Sequence, residues 1–159
     1  MALRTAPKKP LSLRATAVRL LARREYARAE LAQRLAARGA GRDDVDRVLD
    51  ELERAGYLSD ARFAQALVAQ KAGRYGKRAI AHELREKRVA PAVAQEALAT
   101  LAHVDEFAEA MALWRRRFGD APKDEREKAR HARFLMSRGY SMTIALKVLR
   151  SAERGDDAD

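Results

Sequence analysis

Apolar residues recur at helical spacing along almost the whole chain, and no segment alternates with the period of two that marks a half-buried strand. The clearest stripe is Val45, Val48, Leu49 and Leu52, at i, i+3, i+4 and i+7, with Asp46, Arg47, Asp50 and Arg54 on the opposite face. Gly56 follows that stripe, and Gly39 and Gly139 follow two others, each placed to take the left-handed conformation that closes a helix. Ser59 and Ser141 stand where the next helices need N-caps. These start and stop signals predict nine helices, over residues 12–24, 28–38, 42–55, 60–72, 77–88, 91–102, 105–118, 124–138 and 142–153. The fold class is all-α.

Nine helices group into threes. A shift of 49 residues lays Leu31 on Ile80, Leu35 on Leu84 and Leu49 on Leu98. A shift of 100 lays Leu35 on Leu135, Gly39 on Gly139, Val48 on Val148 and Leu49 on Leu149. Agreement of apolar positions together with a helix-ending glycine predicts three tandem three-helix repeats, at 12–58, 59–103 and 104–153. Residues 1–11 are expected to form a flexible N-terminal arm and 154–159 a flexible tail. Each repeat alone has a small core, so stacking is expected to bury the exposed apolar faces and to give an elongated, curved, solenoid-like body.

Composition narrows the partners. Lysine and arginine number 33 against 23 acidic residues, a net charge of +10, which favours polyanionic partners. The charge is localised: residues 1–40 hold ten basic and two acidic side chains, residues 41–60 three and seven, residues 61–103 eight and three, and the remainder twelve and eleven. There is no cysteine, which excludes disulfides and thiolate metal sites, and the three histidines, His82, His103 and His131, are far apart in the chain. No apolar run suits a signal peptide or a membrane span, so a cytoplasmic protein is expected.

Three basic clusters are candidate partner-binding or DNA-binding surfaces. The first is Lys71, Arg74, Lys77, Arg78, Arg85, Lys87 and Arg88. On a helix Arg78, Ala81, Arg85 and Arg88 make one cationic stripe beside the Ile80/Leu84 core face, able to track phosphates or meet acidic side chains. Tyr75 beside it is placed either to stack on a base or to pack at a turn. The second cluster, on the first two helices, is Arg14, Arg19, Arg23, Arg24, Arg28, Arg34 and Arg38; it either meets a partner or pairs with the acidic third helix around Asp43, Asp44, Asp46, Asp50 and Glu51. The third is Arg115, Arg116 and Arg117, after Trp114 on a helix whose Phe107, Met111, Trp114 and Phe118 form an apolar stripe. Trp114 is expected in the core, and consecutive arginines point in different directions, so only Arg115 and Arg116 are carried forward as contacts.

No catalytic constellation is present. The sequence has no phosphate-cradling glycine loop, no His-Glu-x-x-His, no nucleophile elbow and no carboxylate cluster at helical metal spacing, so no enzyme activity, cofactor or metal is expected. His82 and His131 read as surface or interface residues. Asp60 reads as a structural carboxylate in the first turn of a helix, where it favours the helix dipole.

Across the first two repeats the chain reads Arg24-Glu25-Tyr26, Glu30-Leu31, Leu35, Arg38-Gly39, then Gly56-Tyr57-Leu58-Ser59-Asp60, Arg62-Phe63-Ala64, Gly76, Ile80, Glu83-Leu84 and Lys87. This pattern resembles the RecX family. Phe134-Leu135 and Arg138-Gly139-Tyr140 are similar to the family's ending, and the resemblance covers about residues 12–153. One departure is local: Lys87-Arg88-Val89 stands where the family commonly has Lys-Gly-Ile, and a side chain at Arg88 is expected to disfavour a left-handed cap, so that the helix ends differently or runs longer. The resemblance implies three three-helix repeats and a monomer that lodges in the groove of the RecA recombinase filament on single-stranded DNA. It implies inhibition of ATP turnover, strand exchange and filament growth, with non-specific single-stranded DNA contacts secondary. A rival reading is a helical regulator acting on DNA directly, since a three-helix unit with a basic helix imitates a helix-turn-helix. The arginine stripes lack the Asn or Gln residues suited to adenine edges, which disfavours sequence-specific operator binding.

Overall fold

The computed structural model describes residues 10–156. Residues 1–9 of the expected arm and 157–159 of the expected tail lie outside the described residues. Within them the chain forms nine α-helices and no strand: α1 (Leu13–Leu21), α2 (Arg28–Ala36), α3 (Arg42–Arg54), α4 (Asp60–Lys71), α5 (Lys77–Glu86), α6 (Pro91–Ala99), α7 (Glu106–Arg117), α8 (Glu125–Ser137) and α9 (Met142–Asp156). The last helix runs three residues into the segment read as tail. No terminating turn interrupts it, and Arg154 Nε donates to the Arg150 carbonyl one turn back (3.3 Å). No described helix is long and apolar enough to cross a membrane.

The chain divides at Phe63 into two compact units. In the first, α1–α3 close around Ala17, Tyr26, Leu31, Leu35, Val45, Leu49, Leu52 and Leu58. In the second, the third repeat closes around Met111, Leu113, Trp114, Leu135, Tyr140, Val148 and Leu149. The middle repeat buries Leu67, Val68, Ile80, Leu84, Val89, Ala94 and Ala97. Leu98, which the repeat register placed opposite Leu49, is only half-buried. Its helix spans nine residues against thirteen in α3, and the small Ala94 and Ala97 take the inward positions.

The helix N-termini that receive a side-chain acceptor follow two designs, while α3 and α6 start without one. Ser12, Asp105 and Asp124 cap α1, α7 and α8 from the adjoining residue, and Ser59 and Ser141 cap α4 and α9 through the backbone N–H of Arg62 (3.1 Å) and Ile144 (3.2 Å). Neither α2 nor α5 has such a local cap. Instead the N–H of Arg28 donates to Asp60 Oδ1 (2.7 Å), and that of Lys77 to Glu106 Oε1 (3.4 Å). Asp60 and Glu106 each open the first helix of the following repeat, so one repeat supplies the acceptor for an orphan N–H at the start of its predecessor's middle helix. The third repeat's middle helix, α8, carries its own Asp124.

Glycines at +89° (Gly39), +82° (Gly56) and +94° (Gly139) end α2, α3 and α8 in the left-handed conformation. The expectation for α5 is overturned: it ends at Glu86, and Arg88 takes the left-handed conformation itself, at φ +56°. The cause is the next residue. Val89 N–H bonds the Leu84 carbonyl (3.1 Å), as Tyr140 N–H bonds Leu135 (3.2 Å), and the turn delivers Val89 into the core, 5% exposed.

Repeats two and three share one backbone junction in the second unit. Gly76 N–H donates to the Arg138 carbonyl (2.7 Å). A Cβ at Gly139 would stand 2.5 Å from that of Ala79, and a Cβ at Gly76 would run into the Gly139 carbonyl. Only glycine allows these chains to approach so closely.

Candidate partner-binding surface

The α4–α5 turn and α5 carry an exposed basic face of the second unit. Arg78 and Arg85, two helical turns apart, are both exposed, as are Arg74 and Arg88. None of Arg78, Arg85 and Arg88 joins an ion pair among the described residues, so their charge is uncompensated locally. Arg74 donates to the Gln70 carbonyl (2.7 Å). Lys71 is spent differently: its ammonium lies 3.6 Å from Glu83 and 4.6 Å above the Tyr75 ring. Arg138 approaches the same ring at 5.2 Å. Tyr75 is therefore half-buried and held by two cations, packed at its turn rather than presented as an open stacking platform. It lines a surface cavity of about 370 Å³ with Lys71, Ile80, His82, Glu83 and Lys87. Lys77 lies half-buried at the start of α5, where its backbone meets Glu106.

In the first unit's cluster Arg14, Arg24 and Arg28 are paired within that unit, whereas Arg19, Arg23, Arg34 and Arg38 are exposed and join no ion pair among the described residues. Arg28 reaches Asp50 (2.8 Å) and Glu53 (3.1 Å), and Arg14 reaches Glu51 (3.9 Å), both on the acidic α3. Arg24 bonds Glu30 (2.7 Å) and stacks 3.6 Å over Tyr26; the Glu30 bond holds its guanidinium further towards the charged form. Arg62, next to Asp60, binds Glu25 (3.0 Å) and the Gly56 carbonyl (2.7 Å), tying the Gly-Tyr-Leu turn to the α1–α2 connection. Arg23 remains exposed, and that turn leaves Tyr57 52% exposed.

On α7, Arg115 and Arg116 are exposed and Trp114 is buried, as its stripe predicts. His131 is not a surface residue. It is 3% exposed, its ring stacks on Phe118 (centroids 3.7 Å apart), and its Nδ1 accepts the Trp114 indole N–H (3.2 Å). Burial, reinforced by the charge of Arg130, holds the imidazole below its ordinary pKa, so it is a neutral core acceptor. His82 is exposed, 3.1 Å from Glu86, and His103 is exposed as well. No group of three or more His, Cys, Asp or Glu among the described residues could hold a metal. Sequence reasoning passed over Arg126, Arg130 and Arg133 on α8, whose i, i+4, i+7 spacing is as regular as that of α5.

Three family models tile the chain: RecX, first three-helix domain, over residues 14–52; RecX, second three-helix domain, over 59–98; and RecX, third three-helix domain, over 104–149. The chain is 43% identical over 149 residues to the Regulatory protein RecX of Leptothrix cholodnii, covering 94% of each chain. It is 39% identical to that of Ralstonia nicotianae, covering 96% of each. In fold it is similar to the crystal structure of RecX from Lactobacillus salivarius, with a TM-score of 0.70 at 16% identity, over 89% of this chain and 94% of that one.

Proposed function

The chain belongs to the RecX family of regulatory proteins, and from that premise we propose that it regulates homologous recombination by binding the RecA recombinase filament on single-stranded DNA. In this reading it restrains ATP turnover, strand exchange and filament growth by occupying a surface, without chemistry of its own. The observation that carries the reading is the exposed, locally uncompensated cationic face of α5, Arg78 and Arg85 with Arg74 and Arg88 beside them. A rigid helix presenting guanidinium groups on one side suits a surface of phosphates and carboxylates, because each group makes charge-assisted and often bidentate hydrogen bonds. Protein contacts dominate, single-stranded DNA contacts are secondary and sequence-independent, and the chain acts as a monomer.

The test is a titration of wild type and of the double variant Arg78→Ala, Arg85→Ala against preformed filaments, reading ATP turnover. Both side chains lie off the Ile80/Leu84 core face, so circular dichroism should be unchanged while inhibition weakens. Equal inhibition by the two proteins would move the contact to Arg23 and the first unit. No inhibition by wild type would reject the filament as target.

A further inference from the structure

The third repeat carries a charged surface that the α5 face does not explain. A cavity of about 390 Å³ at the start of α8 is lined by Asp124, Arg126, Glu127, Arg130 and Arg133, every one of them charged. Its two acids are already committed to the backbone. Asp124 Oδ1 accepts the N–H of Glu127 (2.8 Å), and Glu127 Oε2 accepts the N–H of Lys123 (2.9 Å). The three arginines are exposed, and none joins an ion pair among the described residues. Arg130 leans towards the Phe118 ring (5.9 Å), which fixes its direction without neutralising it. Residues 126, 130 and 133 share one face of α8 and span about 10 Å along its axis. The first turn of the helix adds its positive dipole end.

This is not a copy of the α5 face. The repeat shift puts Ala129, Met136 and Gly139 where α5 has Arg78, Arg85 and Arg88. In the first repeat Tyr26, Glu30 and Gln33 stand where α8 has its arginines. The stripe of the third repeat therefore has no counterpart at the matching positions of the first.

We propose that Arg126, Arg130 and Arg133 of α8 form a second binding site, for the phosphodiester backbone of a nucleic-acid strand. An extended row of unpaired guanidinium groups over an open cavity fits a repeating anion better than a single compact one. Phe118 is half-buried and stacked on His131, so no aromatic platform is offered to bases and the site reads charge rather than sequence. The site rests on the reading above for its single-stranded DNA contacts and gives them a place on the molecule, while its test, binding of naked DNA, is separate from filament inhibition.

The experiment measures binding of a fluorescent oligothymidylate to the full chain by anisotropy across a salt series. The variants are Arg126→Gln/Arg130→Gln/Arg133→Gln and, to spare the Phe118 contact, Arg126→Gln/Arg133→Gln. The triple variant should bind at least tenfold more weakly at low salt. Its log-log salt slope should flatten by about 2, since each phosphate contact on a single strand contributes roughly 0.7. The double variant should show about two-thirds of that slope change. The Arg78→Ala/Arg85→Ala variant serves as the reference for the other face. Wild-type affinity and slope in both α8 variants would overturn the proposal, whatever filament inhibition does. Competition by polyglutamate as effective as by unlabelled oligonucleotide would also overturn it, in favour of an acidic protein surface.

Discussion

Arg88 and His131 show how far a single residue departs from its local preference when the core demands it. A non-glycine residue in the left-handed region costs on the order of 1 kcal/mol, and Arg88 accepts that cost because the turn seats Val89. Arg88→Gly should therefore stabilise the protein by about 0.5–1 kcal/mol in urea melts, the relief of strain exceeding the added chain entropy. A destabilised variant would mean that the arginine side chain itself holds the turn. His131 has a depressed pKa when folded, so the unfolded chain takes up its proton first. Its contribution is complete above the ordinary value of 6.5 and is lost as pH falls below 6.5 towards the folded pKa. Glu109, whose pKa is raised by burial, acts with the opposite sign at lower pH. Thermal melts between pH 7.5 and 5.5 should show a drop in wild type that is clearly smaller in His131→Gln, which keeps an acceptor for Trp114 but cannot titrate. Parallel curves would remove the histidine from the account.

At the scale of the element, helical periodicity was the most legible feature, because burial of one face repeats every few residues regardless of tertiary context. Caps were legible where they are local, as with Ser59, Ser141 and the three glycines. They were not legible where the acceptor comes from some thirty residues away: nothing in the sequence beside Arg28 or Lys77 points to Asp60 or Glu106. The same limit hid the burial of His131, which depends on Trp114 and Phe118 meeting α8. On the candidate surface, the α5 stripe was legible from its helical spacing within a net basic segment, whereas the α8 arginines are interleaved with Asp124, Glu125 and Glu127, which dilute the charge of that segment. Pairing by α3 takes up Arg14 and Arg28 of the first unit's cluster, something that composition counts but does not locate. Register fails at α6 for a comparable reason, since a shift of 49 aligns helices that bury different amounts. Leu49→Ala should cost about 3 kcal/mol and Leu98→Ala about 1 kcal/mol or less, because only the first leaves a closed cavity. Equal losses in denaturant melts would restore equivalence of the two positions.

Across the whole molecule, the exposed arginine rows of α5 and α8 belong to consecutive repeats of the second unit, and the Gly76–Gly139 junction joins those repeats backbone to backbone. Around it Tyr75 is held by Arg138, and Tyr140 donates to Glu109 (3.5 Å), whose neighbour in the turn, Glu106, caps α5. A rigid junction keeps two charged faces at a fixed separation, so that binding one does not leave the other to be ordered at further entropic cost. Gly139→Ala tests this. Gly39 occupies the matching place in the first repeat at a similar φ, but a Cβ there would meet nothing within 4 Å. Gly39→Ala should therefore cost only the backbone strain, about 1 kcal/mol. Gly139→Ala adds a collision with Ala79 that can be relieved only by parting the repeats, and should cost about 3 kcal/mol. Hydrogen exchange gives the location of the loss: amides of α5 and α8 should exchange faster in Gly139→Ala, while those of α2 and α3 keep their wild-type protection. If Gly39→Ala and Gly139→Ala lose the same stability and α5 keeps its protection, the glycine contact is incidental and the two faces are held by side chains alone.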